Sequence, residues 1–124
     1  MKRSILVLLA LVATVVVVPA WAAGPSATKA VAGEDSGIST LAVTVSSGEE
    51  VFAVTITGAA VDDIRAPKGW VGVASGNHVM FMTGENPVKA GNTLAFKILT
   101  TEPSASLKVS FRGKDDPIGS PVNL

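Results

Sequence analysis

GWVGVASGNHVMFMT, residues 69–83, carries the clearest alternation of the chain. Apolar residues recur at every second position on both sides of Ser75-Gly76-Asn77, the mark of two short strands and a tight turn rather than of a helix. Residues 70–74 and 78–83 are therefore read as a β-hairpin. The hairpin holds the only histidine of the chain, one of its two tryptophans and both methionines other than Met1. A strand turns successive side chains to opposite faces. Val79, Phe81 and Thr83 thus share one face, and His78, Met80 and Met82 the other.

The same period of two continues outward in both directions. Upstream, Leu41, Val43 and Val45 share a face within residues 38–46, and Phe52, Val54 and Ile56 share one within 51–57. A weaker strand over 61–66 must stop at Ala66-Pro67, because proline lacks the donor a ladder needs. Downstream, the connection GENPVKAGN at 84–92 carries three kinds of turn-former. Leu94, Phe96 and Ile98 then share a face within 93–100, and Leu107, Val109 and Phe111 within 105–112. Residues 118–123 read as a last edge strand, limited by Pro121. These apolar sets, with Val79 and Phe81, are the expected core.

Seven or eight short strands separated by Gly, Pro, Asn and Asp clusters call for an all-β fold. Two antiparallel sheets packed face to face are the physical solution, with a small closed barrel as the alternative.

One pattern goes further. Pro67-x-Gly69-Trp70, Gly76-Asn77-x-Val79-x-Phe81-x-Thr83-Gly84, Pro87, Ala90-Gly91, Leu94-x-Phe96-x-Ile98 and the ending Val109-x-Phe111-x-x-Lys114-Asp115-Asp116 follow one another. Together they resemble the immunoglobulin-like β-sandwich modules of prokaryotic secreted and surface proteins, with cohesin-type modules more distant in style. The resemblance spans about residues 38–118 and rests on packing and turn residues. It implies an immunoglobulin-like sandwich serving adhesion, spacing or binding.

The start of the chain has another character. Lys2 and Arg3 precede an apolar run over residues 5–18 broken only by Thr14, then Pro19 and Ala20-Trp21-Ala22. This is the pattern of a secretory signal peptide, read as residues 1–22. The run is shorter than the roughly 20 residues a membrane-crossing helix needs. An uncleaved anchor is the competing reading. Residues 23–37, rich in Gly, Ala and Ser, read as a flexible lead-in with room for an edge strand at 28–32, and 38–124 as the domain. Localisation is expected to be secreted, periplasmic or at the cell surface, with no membrane span after cleavage.

Charge and cysteine usage narrow the function. Without Lys2 and Arg3 the chain keeps 8 basic residues against 10 acidic, a net charge near −2. Nucleic-acid binding therefore has no electrostatic support. The absence of Cys removes disulfides, thiolate metal sites and cysteine nucleophiles together. No nucleophile-elbow serine accompanies His78, and no phosphate-binding glycine loop opens a helix, so no enzyme is expected. Asp62-Asp63 and Asp115-Asp116 lack the spaced oxygen ladder of a calcium loop and read as solvated turns.

Two readings remain for the outer face of the hairpin. His78, Met80 and Met82 are soft or borderline donors of the kind that suits copper, the one cofactor the sequence raises. The Cα atoms of His78 and Met82 lie about 13 Å apart along a strand, so one ion takes His78 with Met80 and needs help from elsewhere. The plainer reading makes Met80, Met82 and Trp70 a contact surface, since an exposed apolar stripe usually marks an interaction site. That implies a protein partner or self-association. Trp70 has a competing place in the core. The expected function is an exported, non-catalytic binding or structural module. Its alternatives are a small copper-binding protein and a filament subunit that lends residues 24–37 to a neighbour's sheet.

Overall fold

The computed structural model describes residues 24–124; the segment read as a signal peptide lies outside the described residues. Nine strands follow one another, and no helix occurs among the described residues. They are β1 (Ser26–Asp35), β2 (Ile38–Ser46), β3 (Ala53–Thr57), β4 (Asp63–Arg65), β5 (Val71–Ser75), β6 (His78–Met82), β7 (Thr93–Thr100), β8 (Lys108–Arg112) and β9 (Pro117–Asn123). All pairings are antiparallel. One sheet runs β1-β2-β7-β4 and the other β5-β6-β3-β8-β9. The all-β sandwich read from the alternation is the observed fold, with nine strands in place of seven or eight.

Register explains why the alternation is so regular. Leu41, Val43 and Val45 of β2 stand opposite Ile98, Phe96 and Leu94 of β7. In the second sheet Val54 and Ile56 stand opposite Phe81 and Val79 on one side and Phe111 and Val109 on the other. The two inner faces meet through aromatic rings. Phe96 packs against Phe81 at 5.0 Å between centroids and against the edge of Trp70 at 4.8 Å. Such contacts add to the area buried.

Three expectations are corrected. Residues 24–37 are no loose lead-in. Ser26–Asp35 is an edge strand in register with β2, closed by a two-residue Ser36-Gly37 turn with φ of 55° and 82°. Positive φ at both positions matches the twist of a hairpin. The edge strand expected at 28–32 is thus longer at both ends, and its most buried side chain is Ala27, opposite Val45.

Next, Phe52 and Leu94 are half-buried rather than core, while Val51, Val88 and Ala59 are buried. Val51 leaves the ladder and exchanges hydrogen bonds with Val88 (Val51 N to Val88 O 3.1 Å, Val88 N to Val51 O 2.9 Å). This bridge pins the 84–92 connection across one end of the sandwich. Finally, the weak strand at 61–66 shrinks to three residues.

Candidate functional site

The outer face of the five-stranded sheet collects the residues the hairpin singled out. Strand register sets them in rungs. One rung reads Val71, Met82, Ala53, Arg112; the next Val73, Met80, Thr55, Ser110; the third Ser75, His78, Thr57, Lys108. The face is thus apolar over β5 and β6, hydroxylic and small over β3, and polar to cationic over β8.

Exposure sharpens the picture. Among the described residues, four large apolar side chains are exposed: Val31, Val71, Val73 and Met82. Three of them lie on adjacent strands of this one face, with Val71 and Val73 each 64% exposed and Met82 38%. Met80 is half-buried between Val73 and Thr55. Val73, Ala74, Ser75, His78 and Met80 line a shallow depression of about 180 Å³. The valines complete the stripe from β5. Their alternation through GWVGVAS was legible, but which face of that strand would be outer was not.

His78, Met80 and Met82 do share a face, as the strand period requires. Their neighbours across the rungs are Ser75 and Thr57, Val73 and Thr55, and Val71 and Ala53. The flanking strands therefore add hydroxyls and methyl groups beside His78 and Met80, not a third soft donor. Ser75 stands opposite His78, with Thr57 and then Lys108 on the far side, so no carboxylate joins them on that rung.

Trp70 does not join this surface. It is 6% exposed, and its indole N–H donates to the Asn86 carbonyl at 2.8 Å. The residue stands between the turn at 67–69, closed by a hydrogen bond from Trp70 N to Pro67 O of 3.0 Å, and the start of β5, and its ring enters the core against Phe96. A large ring with one polar atom is well served where that atom meets a loop carbonyl.

The acidic pairs are placed apart. Asp62 and Asp63 lie at the start of β4, and Asp115 and Asp116 in the turn between β8 and β9, beside Glu49 and Glu50. Among the described residues no three His, Cys, Asp or Glu side chains come close enough to hold a metal ion. No helix among the described residues is long and apolar enough to cross a membrane.

No family model matches the chain, and no curated protein matches it. Solved structures give distant likenesses. ChBD3 from Thermococcus kodakarensis KOD1 superposes with a TM-score of 0.47 at 16% identity, over 80% of this chain and 93% of that one. An inactive mutant of GH20 exo beta-N-acetylglucosaminidase from Vibrio harveyi gives 0.46 at 12% identity, over 81% of this chain and 17% of that one. At that level of likeness no function is carried over.

Proposed function

We propose that this chain is an exported, non-catalytic binding or structural module that meets a protein partner through the apolar half of its outer sheet face. One observation carries the reading: Val71, Val73 and Met82, three of the four exposed large apolar side chains among the described residues, lie together with Met80 on β5 and β6. Chance exposure scatters such residues singly. A contiguous patch with polar residues along its border is what a contact surface looks like.

Other features support the reading without carrying it. The leader-like residues 1–22 favour export. His78 without a carboxylate on its rung leaves acyl transfer without the group that orients the base. Among the described residues no aromatic ring stands in the patch, which speaks for a protein partner rather than stacked sugars. The immunoglobulin-like arrangement belongs to the same proposal. With β5 and β6 set aside, the remaining strands neighbour one another as β1-β2-β7-β4 and β3-β8-β9, the order of a seven-stranded immunoglobulin sandwich.

Site-specific photocrosslinking in intact cells tests this function. A crosslinking amino acid at Met82 or Val73 of the full chain should yield a discrete protein adduct, and one at Thr44, on the outer face of the other sheet, should not. Equal adducts from all three positions, or none from Met82 and Val73, would end the reading.

A further inference from the structure

A sandwich of two open sheets has four edge strands, and each is a template for unwanted pairing unless something blunts it. Here β1, β4, β5 and β9 are the edges. β1 turns Lys29 toward the inner side, where its ammonium donates to the Ala105 carbonyl at 3.1 Å, and its ladder is interrupted between Val31 and Glu34. β4 is three residues long, two of them Asp63 and Arg65. β9 carries Pro117 and Pro121 and a register shift. β5, Val-Gly-Val-Ala-Ser, has no charge, no proline and no bulge. It is the one edge of the four without protection, and it borders the exposed apolar patch.

Thr83 N donates to Phe52 O and Gly58 N to Asn77 O, so the odd-numbered residues of β6 and its turn bond toward β3. Antiparallel ladders alternate. His78, Met80 and Met82 therefore bond toward β5, to Ser75, Val73 and Val71. The backbone groups of Gly72 and Ala74 are left pointing out of the sheet edge.

A strand that docks there must be thin on the inner side. The Ile64 methyl already occupies the place of a Gly72 side chain, 2.6 Å from where a Cβ would stand. The docking strand must also be apolar on the outer side and need no countercharge. A second copy of β5 meets all three conditions. Antiparallel about Val73, Gly72 of each copy faces Ala74 of the other, giving two hydrogen-bonded pairs with the smallest side chains inside. Val73 faces Val73, and each Val71 faces a Ser75. The rung then reads Met80, Val73, Val73, Met80 across the junction. The cations of the face, Lys108 and Arg112, sit on β8, three strands away in each copy. At about 4.8 Å per strand the two β8 strands stand roughly 34 Å apart, well beyond the screening length of about 8 Å. On the outer face, neutral surface meets neutral surface.

We propose that two copies of this chain pair through β5 to form a continuous ten-stranded sheet, the self-association form of the contact surface described above and resting on that reading. Five residues of edge bury far less than the roughly 1,600 Å² of a standard stable interface, so the dimer is weak and depends on concentration.

Sedimentation of the full chain from micromolar to millimolar concentration tests this. The weight-average mass should rise toward twice that of the monomer. Ala74→Pro removes an outward N–H that β6 does not use, and proline is tolerated on such an edge position. Val73→Lys puts a charge at the centre of the junction. Each should weaken association by at least about tenfold in Kd with the thermal midpoint little changed, while Thr44→Lys should leave association intact. A chain that stays monomeric throughout, or a dimer that survives Ala74→Pro, overturns the pairing. A monomeric chain whose Val73 crosslinks to a different protein overturns the pairing and leaves the contact surface standing. A monomeric chain without crosslinks removes both.

Discussion

Trp70 carries the sharpest lesson at the scale of a residue. Its neighbours in sequence, Gly69 and Val71, are both exposed, and the turn before it favours a packed ring over a contact residue without saying what the ring packs against. What decides is the Phe96 ring 4.8 Å away, 26 positions along the chain, and the Asn86 carbonyl that takes the indole proton. Trp70→Ala should therefore cost about 3–5 kcal/mol, the range for emptying a core site of a large aromatic ring. Denaturant unfolding reads this as a shift in midpoint. A surface tryptophan would stay within about 0.5 kcal/mol. Phe96→Ala should fall in the same range as Trp70→Ala. Phe52→Ala should cost less than either, because that ring is only half-buried. Phe52 also shows where alternation stops informing: it keeps the parity of Val54 and Ile56 and its backbone bonds to Arg112 and Thr83, yet its ring is only half-buried.

At the scale of an element, β1 and β5 are the instructive pair. Both are edges, and both looked less decisive in sequence than they are in the fold. Small residues left only 28–32 readable as β1; Ala27 is buried opposite Val45, while Ala30, opposite Ala42 on the outer face, is exposed. Replacing each with Asp separates a seated strand from a loose lead-in. Ala27→Asp should cost at least about 2 kcal/mol, since it buries a carboxylate without a partner, whereas Ala30→Asp should move the midpoint by no more than about 0.5 kcal/mol. Equal small effects would return residues 24–37 to a flexible tail. In β5 the small residue has a different use. Gly72 is small because Ile64 Cδ1 and the Phe81 ring, 2.6 Å and 2.9 Å from a built Cβ, already fill its inner side. The strand's exposed valines are left on the outer side, where they join Met80 and Met82.

For the whole molecule the question is what the two sheet faces do. The inner faces make one core. The outer face of the β5 to β9 sheet grades from apolar to cationic, and its soft donors stand along a single strand. Copper held by His78 and Met80 would need a third donor, and the strands on both sides offer Ser75, Thr57, Val73 and Thr55 in register. A Cu(I) titration of the full chain against a competing chelator should accordingly show no stoichiometric competition, with Met80→Leu giving the same curve. Tight binding lost in Met80→Leu would make this face a metal site and displace the contact-surface reading.

The fold class, most strand positions and most of the core were legible in the amino-acid order alone. The physical reason is that a sheet with one buried face stamps a period of two on any chain that forms it, and that stamp is local. Leu41, Val43 and Val45 could be placed together without knowing what covers them. The amino-acid order likewise placed His78, Met80 and Met82 on one face, because that follows from the backbone of a single strand. Tertiary contacts were needed to see which face of β5 is outer, that Trp70 packs against Phe96, that Val51 meets Val88, and that β5 is an unprotected edge. Each of these depends on which strand lies beside which, a matter of contacts between residues far apart in the chain. Pairing order leaves no period in the sequence of any one strand.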